Sequence, residues 1–468
     1  MEWTKEKIHD VVVKQQVFFK TNQTLDVKWR ISQLKKLKNA LIENEEKLEQ
    51  ALKDDLGRDP FEAYLCDIGP TIMEINEIIH SLKKWSKPET HRSGIMCFPS
   101  TKTKVYKMPY GVSLIISPFN FPILLTIGVL AASISAGNTA IIKASSKSAA
   151  CTKAMQELIG EIYLDNYVSV IDGGHDIADF CLEERVDKIF YTGSPNVAKH
   201  VMEYASKNLT PVALELGGET GNWAIVRSDA DLEDAADKIA FFKILNSGQI
   251  CININQVAVA EDVADRFVEL LKTKIHQQIS GNSLANPEYP HLIGNKAFNY
   301  CKGIVEAHKT QIICGGHGDE KTLKFEPTIL YPIDINDSVV NEELFCPILP
   351  IVKFKDNEIN SLLSIISNRE HGLALYLFTK NIKWAKKVMS SQQYGGGCVN
   401  EVCVHLMVKG VPFNGTGHSG MGAYHGEWGF REFSHPSTVL FGKTHCNLKI
   451  RKHPYSTKKL NLIRKLMK

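Results

Sequence analysis

The chain has 468 residues, 44 % of them hydrophobic and 23 % charged, with a formal net charge of +3. That is the make-up of a soluble globular protein, too long for one ordinary core and so expected to form two or three packed units. It has no apolar run of the roughly 18 residues that a membrane helix needs, and its first segment is polar where a secretory leader would be apolar, so a cytoplasmic location is expected. Eleven cysteines lie scattered without a CxxC pair and sixteen histidines without an HExxH spacing, which points away from a disulfide framework, a zinc site and metal catalysis. The segment after Glu432 carries nine Lys or Arg and no acid, and removing these nine from the net +3 leaves about −6 on the remainder. The protein as a whole is therefore not a basic nucleic-acid binder.

From about Thr24 to Trp85, Leu34, Leu37, Leu41, Leu48 and Leu52 recur at three- to four-residue steps among charged neighbours, a pattern that predicts amphipathic helices. The stretch from Pro88 to Pro109 loses that period, contains Pro99 and alternates Lys102, Lys104 and Lys107 with Thr103, Val105 and Tyr106, as an extended hairpin outside the main core would. From Val112 strand and helix alternate. Strands are expected at Val112 to Ser117, Thr139 to Lys143, Tyr167 to Ile171, Lys188 to Thr192 and Val212 to Leu216. Helices are expected near Pro122 to Ile134, Ser148 to Ile162, Asp176 to Leu182 and Pro195 to Ser206. Short apolar strands separated by helical runs predict an α/β fold with a parallel sheet covered on both faces, a Rossmann-like unit that binds a nucleotide at the carboxyl ends of its strands.

A second α/β unit follows Leu216, with a strand at Asn222 to Val226, a helix at Leu232 to Leu245 leading directly to Cys251, a strand at Gln256 to Ala260 and a helix at Val263 to Gln278. Phe430 to Phe441 reads as β-rich and is expected to pair with the earlier hairpin or with another subunit. In the tail, Leu460, Leu462, Ile463, Leu466 and Met467 alternate with basic residues at roughly helical spacing. Such an end can lie on an anionic membrane, dock on a partner subunit or stay disordered.

The stretch Asn246-Ser247-Gly248-Gln249-Ile250-Cys251 is a small polar loop presenting one cysteine, although a lone cysteine is more often a small buried hydrophobe. Earlier, Leu214-Glu215-Leu216-Gly217-Gly218 sets a carboxyl inside an apolar strand end, where the ionised form is costly and the pKa should rise toward neutrality. A thiol to form a covalent adduct and a tuned carboxylate to activate water are the two groups needed to oxidise an aldehyde through a thioester. A thiol of ordinary pKa is barely ionised at neutral pH, so polar surroundings or a cofactor charge are expected to favour the thiolate.

Five further segments occur in order with these two: Ser117-Pro118-Phe119-Asn120-Phe121-Pro122, Ala136-Gly137-Asn138-Thr139, Tyr191-Thr192-Gly193-Ser194, Glu342-Glu343-Leu344-Phe345-Cys346-Pro347 and Gly417-His418-Ser419-Gly420-Met421-Gly422-Ala423-Tyr424-His425-Gly426. Together the seven resemble the aldehyde dehydrogenase superfamily, over nearly the whole chain. The run Ser419 to Gly426 resembles its class 3 branch, which includes fatty aldehyde dehydrogenases.

The resemblance implies oxidation of an aldehyde, medium or long aliphatic or aromatic, to the free acid with NAD or NADP, by a homodimer. It implies Cys251 as nucleophile, Asn120 as donor to the oxyanion and Glu215 as the base that hydrolyses the thioester. Lys143, Ser146, Gly193, Ser194, Glu343 and Phe345 are implied as cofactor contacts. Residues 1–85 and 108–214 would form the cofactor domain, 215–412 the catalytic domain, 86–107 and 430–445 a small β bridging element, and 446–468 a basic tail. Phe119, Phe121, Tyr64, Phe413 and His418 are the expected wall of a substrate tunnel.

Several residues depart from the family pattern: Ala144, Ser146, Ala198, Glu219, Ile252 to Gln256 and Asn414. Ser146 stands where the family has a glutamate that repels a 2′-phosphate, and Lys147 follows it, so NADP is expected to be accepted readily. Two other functions remain open at this point: a cofactor-independent cysteine esterase or thioesterase, and a nucleotide-binding scaffold with weak turnover.

Overall fold

A computed structural model of the protein describes residues 3–94, 97, 100, 102–444 and 448–467. Residues 3–85 are mostly helical as the periodicity predicts, with helices at Lys5–Phe19, Val27–Glu43, Glu45–Leu56 and Gly69–Trp85. Leu34, Leu37, Leu41, Leu48, Leu52 and Leu56 are all fully buried on the inward stripe of the second and third of these. Asp26 caps one start by accepting from the Lys28 N–H at 2.9 Å, and Gly57, at φ 68, ends the third helix in the left-handed region. Just ahead of the fourth, Tyr64–Ile68 widens into a π turn that buries Asp67 completely.

The first sheet has six strands in the order Gly420–Met421, Val212–Leu216, Lys188–Gly193, Val112–Ile116, Thr139–Lys143, Val168–Ile171. All neighbours are parallel except the short edge strand Gly420–Met421. The chain starts this sheet at Val112–Ile116, builds outward to one side, then returns to build on the other. The segments leaving Val112–Ile116 and Lys188–Gly193 therefore diverge at their carboxyl ends and leave a crevice, where such sheets bind ligands.

The second sheet runs Ile312–Cys314, Thr328–Ile333, Ile348–Phe354, Ile254–Ala260, Asn222–Val226, Ala374–Phe378, Gly396–Val399, parallel throughout except at the first, edge strand. A third sheet joins Glu89–Arg92, Lys102–Pro109 and Ser434–Phe441 in antiparallel order. The expected hairpin and its pairing with the carboxyl-terminal strand are both present. Pro99 lies outside the described residues.

Three expectations need correction. Phe430 to Glu432 belongs to a short helix, Gly426–Glu432, and only Ser434–Phe441 is strand; Gly429 packs so close to Ala132 that even a Cβ would meet it at 2.9 Å. The helix expected from Pro122 begins as a π turn at Leu124–Gly128 and continues as Val129–Ala136. Between the helix Leu232–Ile244 and Cys251 stands a tight turn, Leu245–Gly248. The tail contains a helix, Thr457–Leu466, capped by Ser456 and exposing Leu460, Leu462 and Leu466; Lys468 lies outside the described residues. Among the described residues no helix is long and apolar enough to cross a membrane.

Lys188, 2 % exposed, ties the first sheet to the helix Gly426–Glu432 through an ion pair with Glu432 at 2.6 Å. Glu432 also accepts from the Ala423 N–H. Lys188→Met leaves that carboxylate without its cation and should cost about 3 kcal/mol. The urea midpoint should fall while kcat/KM of the folded enzyme stays within twofold.

Candidate active site

The turn before Cys251 is held in an unusual backbone, with Asn246 at φ 49 and Ser247 at φ 51. Gly248 follows, where a Cβ would strike the Cys346 carbonyl at 2.3 Å. The loop is thus pressed against Glu343 to Pro347, and only glycine permits that approach. Asn222, at the start of its strand, donates to the carbonyls of Cys251 at 2.7 Å and Asn253 at 2.8 Å. Asn255 clamps the other side, donating to Glu342 O and accepting from the Leu344 N–H at 3.0 Å. The departures from the family pattern at Asn253 and Asn255 are therefore loop staples.

Cys251 is reached from two sides. One is an almost wholly apolar cavity of about 230 Å³, whose walls include Phe121, Leu124, Phe242, Ile252, Phe413 and Tyr424. The other is a larger, more polar cleft of about 370 Å³ at the carboxyl ends of the first sheet, shared with Asn120, Lys143, Ser146, Gly193, Ser194, Glu215, Glu343 and Phe345. Every expected site residue lines that cleft. Of the expected tunnel wall, Phe121 and Phe413 line the apolar cavity. Phe119 instead faces the polar cleft, Tyr64 is exposed, and His418 pairs with Glu219 at 2.8 Å.

Glu215 lies in mid-sheet, opposite Gly420 and Thr192. It is 3 % exposed, and among the described residues neither carboxyl oxygen has a hydrogen-bond partner. Burial pushes its pKa up to about 7, against the opposing pull of the Cys251 thiol and of His425. The expected rise toward neutrality is present, and for the expected reason. A buried carboxyl without a partner is costly to a fold and usual at a working site. Cys251 departs from expectation: burial first, then the Glu215 and Glu343 carboxyls, pushes its thiol well above the ordinary range. The protein alone disfavours the thiolate, because the sulfur is shielded from water and the charges that act on it are acids.

Asn120 is 3 % exposed, and one N–H of its amide donates to Gln249 O at 3.1 Å, which holds it beside the cysteine loop. Its backbone carbonyl accepts from Asn246 Nδ2 at 3.0 Å and from the Arg58 guanidinium. Arg58 is fully buried and pairs with Asp67 at 2.9 Å. Neither Arg58 nor Asp67 is prominent in the sequence; the one available signal is a run of charges, Asp55 to Asp67, crossing a segment whose other positions are apolar.

The cleft fits a dinucleotide. Lys143, 4 % exposed, spends two donors on the carbonyls of Ala144 at 2.7 Å and Gly173 at 2.8 Å, leaving one N–H toward the cleft. Ser194 caps the helix Pro195–Asn208 by position, with extended backbone, but its side chain makes no capping bond. Gly193 is required by contact, since a Cβ would meet Tyr191 Oη at 2.3 Å. Glu343 is half-buried with its Oε1 enclosed and unpartnered, and desolvation followed by Glu215 pushes it up to about 8. A Cβ on Gly217 would overlap that carboxyl at 1.8 Å. Orphaned acceptors beside stripped glycines are what a ribose hydroxyl would fill. Phe345, at φ 51, stands edge-on to Phe119, ring centroids 5.9 Å apart, across the cleft. Lys147 Nζ lies 5.0 Å from the Phe119 ring centroid, and Ser146 is exposed to the cleft. Ala198, by contrast, is buried in the core with its side chain away from the cleft lining.

A model of the aldehyde dehydrogenase family matches residues 1–439. The 4,4′-diaponeurosporen-aldehyde dehydrogenase of Staphylococcus aureus is 35 % identical over 458 residues, 98 % of each chain. The dimeric NADP-preferring aldehyde dehydrogenase of Rattus norvegicus is 34 % identical over 441 residues, covering 92 % of this chain and 94 % of its own. The structure of Staphylococcus aureus AldH in a substrate-bound state superposes with a TM-score of 0.95 at 34 % identity, covering all of both chains. A thiol at the seam of an apolar cavity and a dinucleotide cleft, a buried neutral-range carboxyl beside it and a family match over nearly the whole length lead to one conclusion: this chain belongs to the aldehyde dehydrogenase family.

Proposed function

We propose that the protein oxidises an apolar aldehyde to its carboxylic acid with NAD or NADP, using Cys251 as nucleophile, Asn120 as oxyanion donor and Glu215 as base. The observation that carries this reading is the position of Cys251 between the apolar cavity and the polar cleft. The aldehyde enters through the cavity with its carbonyl toward the sulfur, and the alkyl or aryl body replaces water along the apolar wall. The thiol sulfur attacks the carbonyl carbon while its proton passes to the Glu215 carboxylate. The resulting oxyanion faces the free N–H of Asn120 and the Cys251 backbone N–H; one such donor contributes on the order of 3 kcal/mol. When bound, the cofactor accepts the hydride that leaves a thioester on Cys251. Glu215, its proton returned to solvent, then takes a proton from the water that cleaves the thioester. Lys143, Ser146, Gly193, Ser194, Glu343 and Phe345 hold the cofactor. An esterase without cofactor and a scaffold without turnover are less well supported, since both leave the shared seam unexplained.

The division into residues 1–85 with 108–214, 215–412, and 86–107 with 430–445 is part of this proposal, supported by the strands of the three larger sheets that fall mostly within these ranges, as are a cytoplasmic location and a homodimer. The rat relative is named as dimeric, and the exposed outer face of Ser434–Phe441 offers an edge for a second copy. We also propose peripheral contact of the tail with anionic lipid, since the helix Thr457–Leu466 is basic and leaves Leu460, Leu462 and Leu466 exposed. Deleting Thr457 to Lys468 should lower co-sedimentation with phosphatidylserine vesicles in low salt and leave the kinetics with soluble aldehydes unchanged. Equal sedimentation would remove the lipid role.

Cys251→Ala should abolish aldehyde oxidation, whereas Glu215→Gln, which lacks the acceptor for the thiol proton and the base for hydrolysis, should release at most one NAD(P)H per site, more slowly than the parent's first turnover, and then stall as the thioester, visible at 340 nm and as added mass on the protein. Because burial raises Glu215 to about 7, its basic form is present above that pH and lost below it. Thioester hydrolysis should therefore rise with pH through an apparent pKa near 7, and a flat profile from pH 6 to 8 would exclude Glu215 as the base.

For the cofactor, Ser146→Glu would set a carboxylate where Ser146 now meets the cleft and Lys147 follows. It should raise the KM for NADP at least about fivefold more than that for NAD, through repulsion of the 2′-phosphate. A preference that stays within twofold of the parent would mean that cofactor choice is set elsewhere.

A further inference from the structure

Arg58 takes no part in the chemistry described above, yet it is the hub on which two of the reacting groups meet. Its side chain is fully buried. Nη1 donates to Asp67 Oδ2 at 2.9 Å, Nε to Asn246 Oδ1 at 3.0 Å, and Nη2 to the Asn120 carbonyl. Asn246 Nδ2 returns to the same Asn120 carbonyl at 3.0 Å and to Gln249 O at 2.9 Å. Gln249 O in turn accepts from the Asn120 side chain at 3.1 Å. These bonds close a ring through three separate segments: the turn after the helix Glu45–Leu56, the loop after the strand Val112–Ile116, and the loop before Cys251. The guanidinium also lies 4.6 Å from the Phe121 ring centroid, whose other neighbours form the apolar cavity.

We propose that Arg58 is the positioning residue that locks the oxyanion donor Asn120 to the nucleophile loop, so that both keep their alignment as charge develops on the substrate oxygen. This rests on the roles given to Asn120 and Cys251 above. A purely structural ion pair would need only Asp67, and an ammonium would serve. The planar fork of arginine is needed because three acceptors, on Asp67, Asn246 and Asn120, surround it in fixed directions. The backbone of Asn246, at φ 49, is left-handed and has no reason to persist unless its side chain is held at both ends. The Asn246 N–H is secured separately by Glu62 Oε1 at 2.8 Å. Misplacing a catalytic group by about 1 Å can cost on the order of a hundredfold in rate.

Arg58→Lys keeps a cation beside Asp67 but cannot reach all three acceptors. The expected result is a kcat at least about tenfold lower, with KM for the cofactor within twofold and a thermal midpoint near the parent's. The decisive comparison is a double-variant cycle with Asn120→Ala. In the Asn120→Ala background, Arg58→Lys should lower kcat by less than twofold further, because the group it positions is gone. If the two losses multiply in full, or if Arg58→Lys alone leaves kcat within twofold, Arg58 is not a positioning residue. If Asn120→Ala itself retains parental kcat, the oxyanion role falls and this proposal with it, an outcome distinct from the other two. Should Arg58→Lys fail to fold, Asn246→Gly removes the second leg of the same link at a backbone angle glycine tolerates, and the same cycle then decides.

Discussion

A left-handed turn at Asn246 and Ser247 sets the sulfur of Cys251 at the seam between the two large sheets, and most of the surrounding structure serves to hold that turn. Two consecutive non-glycine residues at positive φ are unfavourable by about 1–3 kcal/mol each unless the neighbours over-determine them. Here the Asn246 side chain is bonded at both ends, and Ser247 donates to Tyr289 at 3.2 Å. Gln249 bridges to His291 O and the Ile293 N–H. The strain is kept beside Cys251, the proposed nucleophile, and the restraints come from distant segments. The catalytic geometry is accordingly a property of the packed whole.

The same burial that fixes the loop sets its electrostatics. Glu215 is buried, Glu343 is half-buried, and both share the cleft with a thiol; burial raises all three pKa values, and the Glu215 carboxylate raises those of Glu343 and Cys251 further. A cluster of neutral acids is the resting condition such a pocket imposes, and a proton must move before any one of them acts. That favours a base titrating near neutrality over a permanently ionised thiolate, consistent with the separate needs of attack and hydrolysis. It also keeps Cys251 quiet toward adventitious oxidants, since the thiol is a poor nucleophile.

The residues that depart from the family pattern mostly resolve into packing. Ala198 faces the core beneath the helix Pro195–Asn208, where a methyl fills space. Asn253 donates to Phe242 O at 2.9 Å, and Asn255 holds Glu342 to Leu344, so their amides replace backbone contacts between the two loops. Glu219 lies 3.7 Å from Lys199 and forms the pair with His418, outside the cleft lining. None of them displaces a reacting group. Ala144 and Ser146 line the polar cleft, and Ser146 is the one that removes a charge.

The alternation of short apolar strands with helices from Val112 onward determined the first sheet, because period and length are local properties that burial on both faces writes into the chain. Cys251, Glu215 and Asn120 were legible for a related reason: each sits in a short motif at a strand end or in a loop, where composition reflects chemistry more than packing. The seam itself was not legible. Whether Phe119 faces substrate or cofactor depends on how two sheets pack, and its neighbour Phe121 points the other way. The helix at Gly426–Glu432 defeats the β-rich reading because close contact with Ala132 outweighs local preference. Arg58 and Asp67 look like ordinary surface charges in a helical region, and only the fold, by burying them under Asn120, makes them a pair. Long-range burial converts a charge from solvated decoration into a constraint, and the only local trace of it is the apolar company these charges keep between residues 55 and 67.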